Sequence, residues 1–185
     1  MLVCCVDIFL SLFFYFVIIS QMVKNKIIVL ALDKRFKKFE KKAEIKIFKI
    51  LKLLGEKNVN IEVYLGNSRL MREFNKKFRH KDKIANVLSF EEPIKFPHPE
   101  SEKTRYLGEI YLNAEICDWQ MKKPALDLAC PDYLLTHGLL HLLGYDHKKK
   151  SDRMKMERIE NWLISKLVNF KNIKLKIFTK CTSPL

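Results

Sequence analysis

The run Thr136-His-Gly-Leu-Leu-His-Leu-Leu-Gly-Tyr-Asp-His147 constrains this chain more than any other stretch, because it demands a helix, a sharp stop and a return within twelve residues. Three of the five histidines lie in it. Residues four apart on an α-helix stack on one face, so His137 and His141 aim two imidazoles at one point. A third ligand cannot come from the same rigid turn. Gly144 has no Cβ, and a left-handed glycine there ends the helix and swings the chain back. His147 then completes a three-histidine set. Three neutral imidazoles leave the fourth tetrahedral position open, the arrangement of a catalytic zinc and not of a closed structural one. The competing reading is a chance cluster of surface or core histidines, which the paired spacing and the glycine break disfavour. Asp146 either orients an imidazole or is a solvated turn residue, and the second reading is preferred.

The same ligand spacing occurs in the metzincin proteases, where the first histidine is followed by the glutamate that serves as general base. Here that position is Gly138. A zinc metallopeptidase is therefore the alternative to be tested and not the first reading.

Lys and Arg total 35 against 21 acidic residues, a formal charge of +14 that favours a polyanionic partner, although many of these lysines will be ordinary solvated faces. At 185 residues and 48% hydrophobic, the chain suits one domain with a proper core. Cys4, Cys5, Cys117, Cys130 and Cys181 follow no disulfide or zinc-thiolate spacing, so a reduced, cytoplasmic protein is expected, with Cys117 and Cys130 as small core residues. Leu2 to Ile19 is almost wholly apolar, broken by Asp7 and Ser11. It lacks the basic start and small-residue cleavage site of a signal peptide. Residues 1–21 read either as an upstream extension, with translation starting at Met22, or as a membrane anchor with Lys24 and Lys26 on the cytoplasmic side. The first is preferred because a complete domain pattern begins at Met22. Membrane association is expected only if those residues are translated.

Ile27 to Leu32 predicts a strand, and Asp33 caps a helix whose Phe36, Phe39, Ala43, Ile47, Ile50 and Leu54 face the core until Gly55 stops it. Ile61, Val63 and Leu65 alternate with Glu62 and Tyr64, a half-buried strand, and Gly66-Asn67 turns the chain. Ser68 is expected to cap a helix carrying Leu70, Met71, Phe74 and Phe78. Asn86 to Phe90 predicts another strand. Glu91 to Thr104, with Pro93, Pro97 and Pro99, predicts a loop in which His98 is exposed and outside the site. Leu107 to Leu112 reads as a strand and Ala114 to Met121 as a helix. Pro131 and Asp132 open the metal helix. Ser151 and Asp152 start a last helix with Met156, Ile159, Leu163, Leu167 and Phe170 on its apolar face and Trp162 beside it. The basic tail, residues 171–185, reads as loosely held. The expected fold is α+β: a small mixed β-sheet with helices packed on it and the zincin-like metal motif on a central helix.

A second constellation precedes the strand at Asn86: Asn75-Lys-Lys-Phe-Arg79-His80-Lys81-Asp82-Lys83-Ile84-Ala85-Asn86. Arg79 stands out, since a planar, permanently charged fork suits a phosphate and stabilises charge developing on it. The alternative is a surface arginine paired with Asp82.

With these residues in view, the chain resembles the YbeY endoribonucleases, also called rRNA maturation factors. The resemblance rests on three blocks in order: Asn75 to Phe90, Leu107-Gly-Glu-Ile110, and His137 to His147 with its Gly-Tyr-Asp-His ending. It covers residues 22–170. It implies a single-strand-specific, metal-dependent endoribonuclease, a hydrolase acting in 16S rRNA 3′-end maturation and ribosome quality control. It also implies one zinc ion per chain on His137, His141 and His147, with Arg79 as the functional arginine. The implied partners are single-stranded rRNA and the small ribosomal subunit, with no small-molecule cofactor. Two positions depart from the pattern: Ala85 stands where threonine is usual, and Tyr133 where a histidine often precedes the motif by four residues. A further alternative is a non-catalytic ribosome assembly factor with a structural metal.

Overall fold

A computed structural model describes residues 25–92, 104–117, 119 and 130–180, with side chains described as far as residue 167. Four strands, β1 (Lys26–Ala31), β2 (Val59–Gly66), β3 (Val87–Glu91) and β4 (Arg105–Asn113), form one sheet in the order β1-β2-β4-β3. β1, β2 and β4 run parallel, and β3 lies antiparallel on the β4 edge. The helices are α1 (Glu40–Leu54), α2 (Ser68–Arg79), α3 (Pro131–Leu142) and α4 (Lys150–Lys180). The architecture is α+β with a small mixed sheet, as the sequence predicts.

Alternation explains β2. Ile61, Val63 and Leu65 are fully buried on one face, while Glu62 and Tyr64 are partly open on the other. The inner face receives α1 and α3, and α4 packs behind α3. The outer face is covered over β3 and β4 by α2, through Phe74 against Tyr111 and Phe78 against Phe90, edge to face at 5.0 and 5.2 Å. β4 passes β2 with a register shift beside Gly108, whose φ of 123° only glycine tolerates, and a Cβ there would strike the Phe90 carbonyl.

Two element starts and one segment differ from expectation. Asp33 caps a short 3-10 helix (Lys34–Phe39) by accepting from the Arg35 N–H, and the α-helix proper begins only at Glu40. Asn67, not Ser68, is the N-cap of α2: its side chain accepts from the Leu70 N–H at 2.9 Å, leaving Ser68 as the first helical residue. Ala114 to Ile116 is a turn where a helix was expected, and Asp118, Gln120 and Met121 lie outside the described residues. At the other end of the chain, α4 carries the helical backbone to Lys180, into the segment read as a tail. Its Met156, Leu163 and Leu167 are buried as predicted. Cys117 and Cys130 are free and buried, as core residues should be. The segments 1–24, 93–103 and 181–185 lie outside the described residues, and with them the apolar extension and His98. Among the described residues no helix is long and apolar enough to cross a membrane.

Candidate metal centre

α3 is buried on almost every side. Nine of its residues, among them Asp132, Thr136 and Gly138, are buried, and the three left partly open are Tyr133, His137 and His141. These are four apart and form one stripe, so the helix is a core element with a single window. A buried helix presents polar rings along its window because only there do they keep contact with solvent or a ligand. At its N-terminal end Lys46 from α1 forms an ion pair with the buried Asp132 carboxylate, which ties the two inner helices together.

The stop is built as the sequence predicts. After the cap residue Leu143, Gly144 takes a φ of 87°. Its N–H donates to the His141 carbonyl and the Tyr145 N–H donates to the Leu140 carbonyl, both at 2.9 Å. This is the paired hydrogen-bonding of a Schellman stop, and it reverses the chain. Asp146 then accepts from the His147 N–H at 2.7 Å and pairs with Lys148 at 2.8 Å. Lys148, with the His147 N–H, holds the Asp146 carboxyl down at about 2. Asp146 is thus a turn residue that fixes the approach of His147, and among the described residues it bonds no imidazole.

The three rings converge. Their ligating nitrogens all lie within 4.8 Å of one another, so His137, His141 and His147 could hold a metal ion. The His137 and His141 Nε2 atoms are 3.2 Å apart, close to the edge of about 3.3 Å expected for nitrogens at zinc–imidazole distance on a tetrahedron. Burial, then the neighbouring His137 and His147, lower the His141 pKa to about 4, so this imidazole is neutral and has a lone pair to give. One sign follows for the metal-free protein. A folded pKa below the unfolded value of about 6.5 means that the unfolded chain binds the extra proton first. Stability should therefore be full above pH 6.5 and fall as the pH drops towards 4, which acid titration followed by circular dichroism will show.

Sequence reasoning missed Glu160. Its carboxylate, only 5% exposed on α4, lies 2.7 Å from His137 Nδ1. A carboxylate there accepts a hydrogen bond from Nδ1–H, which leaves Nε2 as the lone-pair donor facing His141 and locks the ring. The signal was present: Glu160 falls in the apolar register of Met156 and Leu163, where a charge needs a partner. Glu160→Gln keeps the shape but weakens this bond, and metal affinity is expected to fall about 10-fold or more, read by competition with a chromogenic chelator.

Arg79, the last residue of α2, lines the same cleft of about 440 Å³ as His137, His141 and His147, together with Lys81 and Lys148. Its alternative partner is taken: Asp82 binds Arg72 at 2.7 Å and Lys76 at 3.0 Å. Among the described residues no carboxylate forms an ion pair with Arg79. The opposite wall explains Gly138. An ideal Cβ at that position would lie 3.1 Å from Ser89 Oγ and 3.2 Å from both Val87 Cγ2 and Ile110 Cγ2, so α3 presses on β3 and β4 through this glycine. Ser89 Oγ donates to the Gly138 carbonyl at 3.1 Å.

The family model described as Endoribonuclease YbeY matches residues 24–168, a span that holds the whole sheet, all three histidines and Arg79. The chain belongs to the YbeY family. It is 35% identical over 164 residues to the endoribonuclease YbeY of Buchnera aphidicola subsp. Schizaphis graminum, covering 86% of this chain and 99% of that protein. With the endoribonuclease YbeY of Aquifex aeolicus it shares 34% over 151 residues, 78% of this chain and 93% of the relative. The match to that of Ehrlichia canis is 37% over 112 residues, 58% of this chain and 66% of the relative. A solution structure from Thermotoga maritima aligns with 80% of this chain and 93% of its own at 23% identity and a TM-score of 0.48. Within the YbeY span the metal helix, the arginine and the basic segment before β3 thus meet at one cleft.

Proposed function

We propose that the chain is a metal-dependent endoribonuclease that cuts single-stranded RNA, with one zinc ion on His137, His141 and His147 and with Arg79 as its phosphate-binding residue. Its substrate is the 3′ end of 16S rRNA at the small ribosomal subunit, in the cytoplasm, where it serves rRNA maturation and ribosome quality control. The working unit is residues 22–170. The observation that carries this reading is one cleft joining three convergent imidazoles to an arginine that no carboxylate among the described residues pairs with. Relatives named as endoribonucleases, and the net charge of +14, agree with it.

Three neutral nitrogen donors suit zinc among the first-row ions. When bound, such an ion supplies Lewis acidity and lowers the pKa of water. The chain's own residues do the rest. The Arg79 fork binds non-bridging phosphate oxygens bidentately and meets the negative charge that grows on them during cleavage. Lys81 and Lys148 add attraction to the backbone that does not depend on sequence. Glu160 keeps the His137 ring from turning. His137 and His141 are set into the half-buried stripe of α3, a depth suited to an extended, unpaired strand.

Arg79→Ala separates these roles. Metal content should stay at one ion per chain, while the rate of single-stranded RNA cleavage falls about 100-fold. Unchanged cleavage would remove the assigned role.

A further inference from the structure

The open stripe of α3 carries three rings and only two of them converge with His147. Tyr133, one turn before His137, offers no metal ligand, yet it is partly open on the same stripe. Its ring centre is 6.0 Å from that of His137 and tilted by 38°, so it does not stack on that imidazole. It faces a second groove of about 380 Å³, which shares Arg79, Lys81 and His137 with the metal cleft.

The composition of this groove is specific. Tyr133 supplies a flat apolar face, and Ile84 lines the same groove, 51% exposed although it is a large aliphatic side chain. Asn86 adds an amide that both donates and accepts. Among the described residues neither the Asn86 amide nor the Tyr133 hydroxyl has a hydrogen-bond partner, whereas neighbouring Asn75 is committed to the Lys83 carbonyl at 2.8 Å. The exposed Lys81 and Lys83 add positive charge to the same lining. A planar apolar surface, a free amide and cations shared with a phosphate site are what an unstacked nucleotide requires.

We infer that this groove is a nucleobase subsite, which takes the base of the nucleotide adjoining the phosphate held in the metal cleft. The inference rests on the reading of the cleft as an RNA site. Tyr133 and Ile84 grip the faces of the base, Asn86 reads its edge, and Arg79 and Lys81 bridge from the subsite to the phosphate. The strand thereby acquires a fixed register: one base anchored, its phosphate delivered to the histidines.

The test uses the zinc-loaded protein and a short fluorescent single-stranded RNA, with binding read by anisotropy before cleavage sets in. An abasic nucleotide is moved along the RNA one position at a time. One position should weaken binding to the unmodified protein about tenfold, the loss of a single stacked base. Tyr133→Leu should weaken binding of the intact RNA by a similar factor and erase the difference between intact and abasic RNA. Tyr133→Phe, which keeps the ring, should stay within about threefold of the unmodified protein. Cobalt titration of each variant should give the same metal affinity. A flat abasic scan on the unmodified protein overturns the subsite alone and needs no variant to fold. So does a Tyr133→Leu variant that binds both RNAs as the unmodified protein does, that is equally weakened on both, or that has lost metal affinity. Failure of the unmodified protein to bind any single-stranded RNA would overturn the RNA reading of the cleft and the subsite with it.

Discussion

The His141→Ala variant is expected to lose tight metal binding and RNA cleavage together, with cleavage below about 1% of the unmodified rate. Of the three ligands, His141 is one of the two carried by the buried helix α3. It stands on α3 between the buried Leu140 and Leu142, and its Nε2 lies 3.2 Å from that of His137. No other side chain of that helix can replace it, because apart from Tyr133 and His137 its positions are buried. Two ligands remain in the variant, and one of these, His147, is exposed on a turn. The fold should survive, since the lost ring belongs to the open stripe and not to the packed faces. Circular dichroism at neutral pH should match the unmodified protein while metal analysis falls towards zero. A variant without metal that still cuts at the full rate would show that the histidines are not the catalytic centre.

Gly138→Glu tests the packing reason why position 138 carries no glutamate. The substitution restores the glutamate that follows the first histidine in metzincins, but the structure has no room for it. Ser89, Val87 and Ile110 each stand within 3.2 Å of a Cβ at that position, so the carboxylate would be driven between α3 and the sheet. Overpacking and burial of an unpartnered charge together should cost about 3 kcal/mol or more. For a chain of this length that lowers the melting temperature by roughly 6–12 °C. Gly138→Ala is the control, because its crowding is offset by a helix preference of about 1 kcal/mol over glycine. A stable Gly138→Glu protein that digests casein would contradict the packing account.

What the sequence disclosed depended on how local the cause was. The metal helix and its stop were legible because the i, i+4 spacing and a single glycine determine them within a few residues. The alternation in β2 was legible for the same reason. Helix starts were less so. Asn67 and Ser68 are both good caps, and only the hydrogen bond from Leu70 decides between them. Tertiary approach hid the rest. Glu160 shows in the sequence only as a charge in an apolar register, and its partner His137 is set by α4 lying against α3, which no spacing along the chain announces. Arg79 could be read as paired with Asp82 until the fold showed Arg72 and Lys76 there instead. The need for glycine at 138 likewise comes from β3 and β4, elements distant in sequence.

The central claim is that the three histidines and Arg79 form one metal-dependent site for single-stranded RNA. It is tested most directly with purified protein beginning at Met22, given a defined single-stranded RNA, the same RNA as a duplex, and casein, each before and after chelation. The account predicts cleavage of the single strand only, loss of that cleavage on chelation and its return on adding zinc. Full-rate cleavage by chelated protein, or chelator-sensitive digestion of casein without any cutting of RNA, would contradict it.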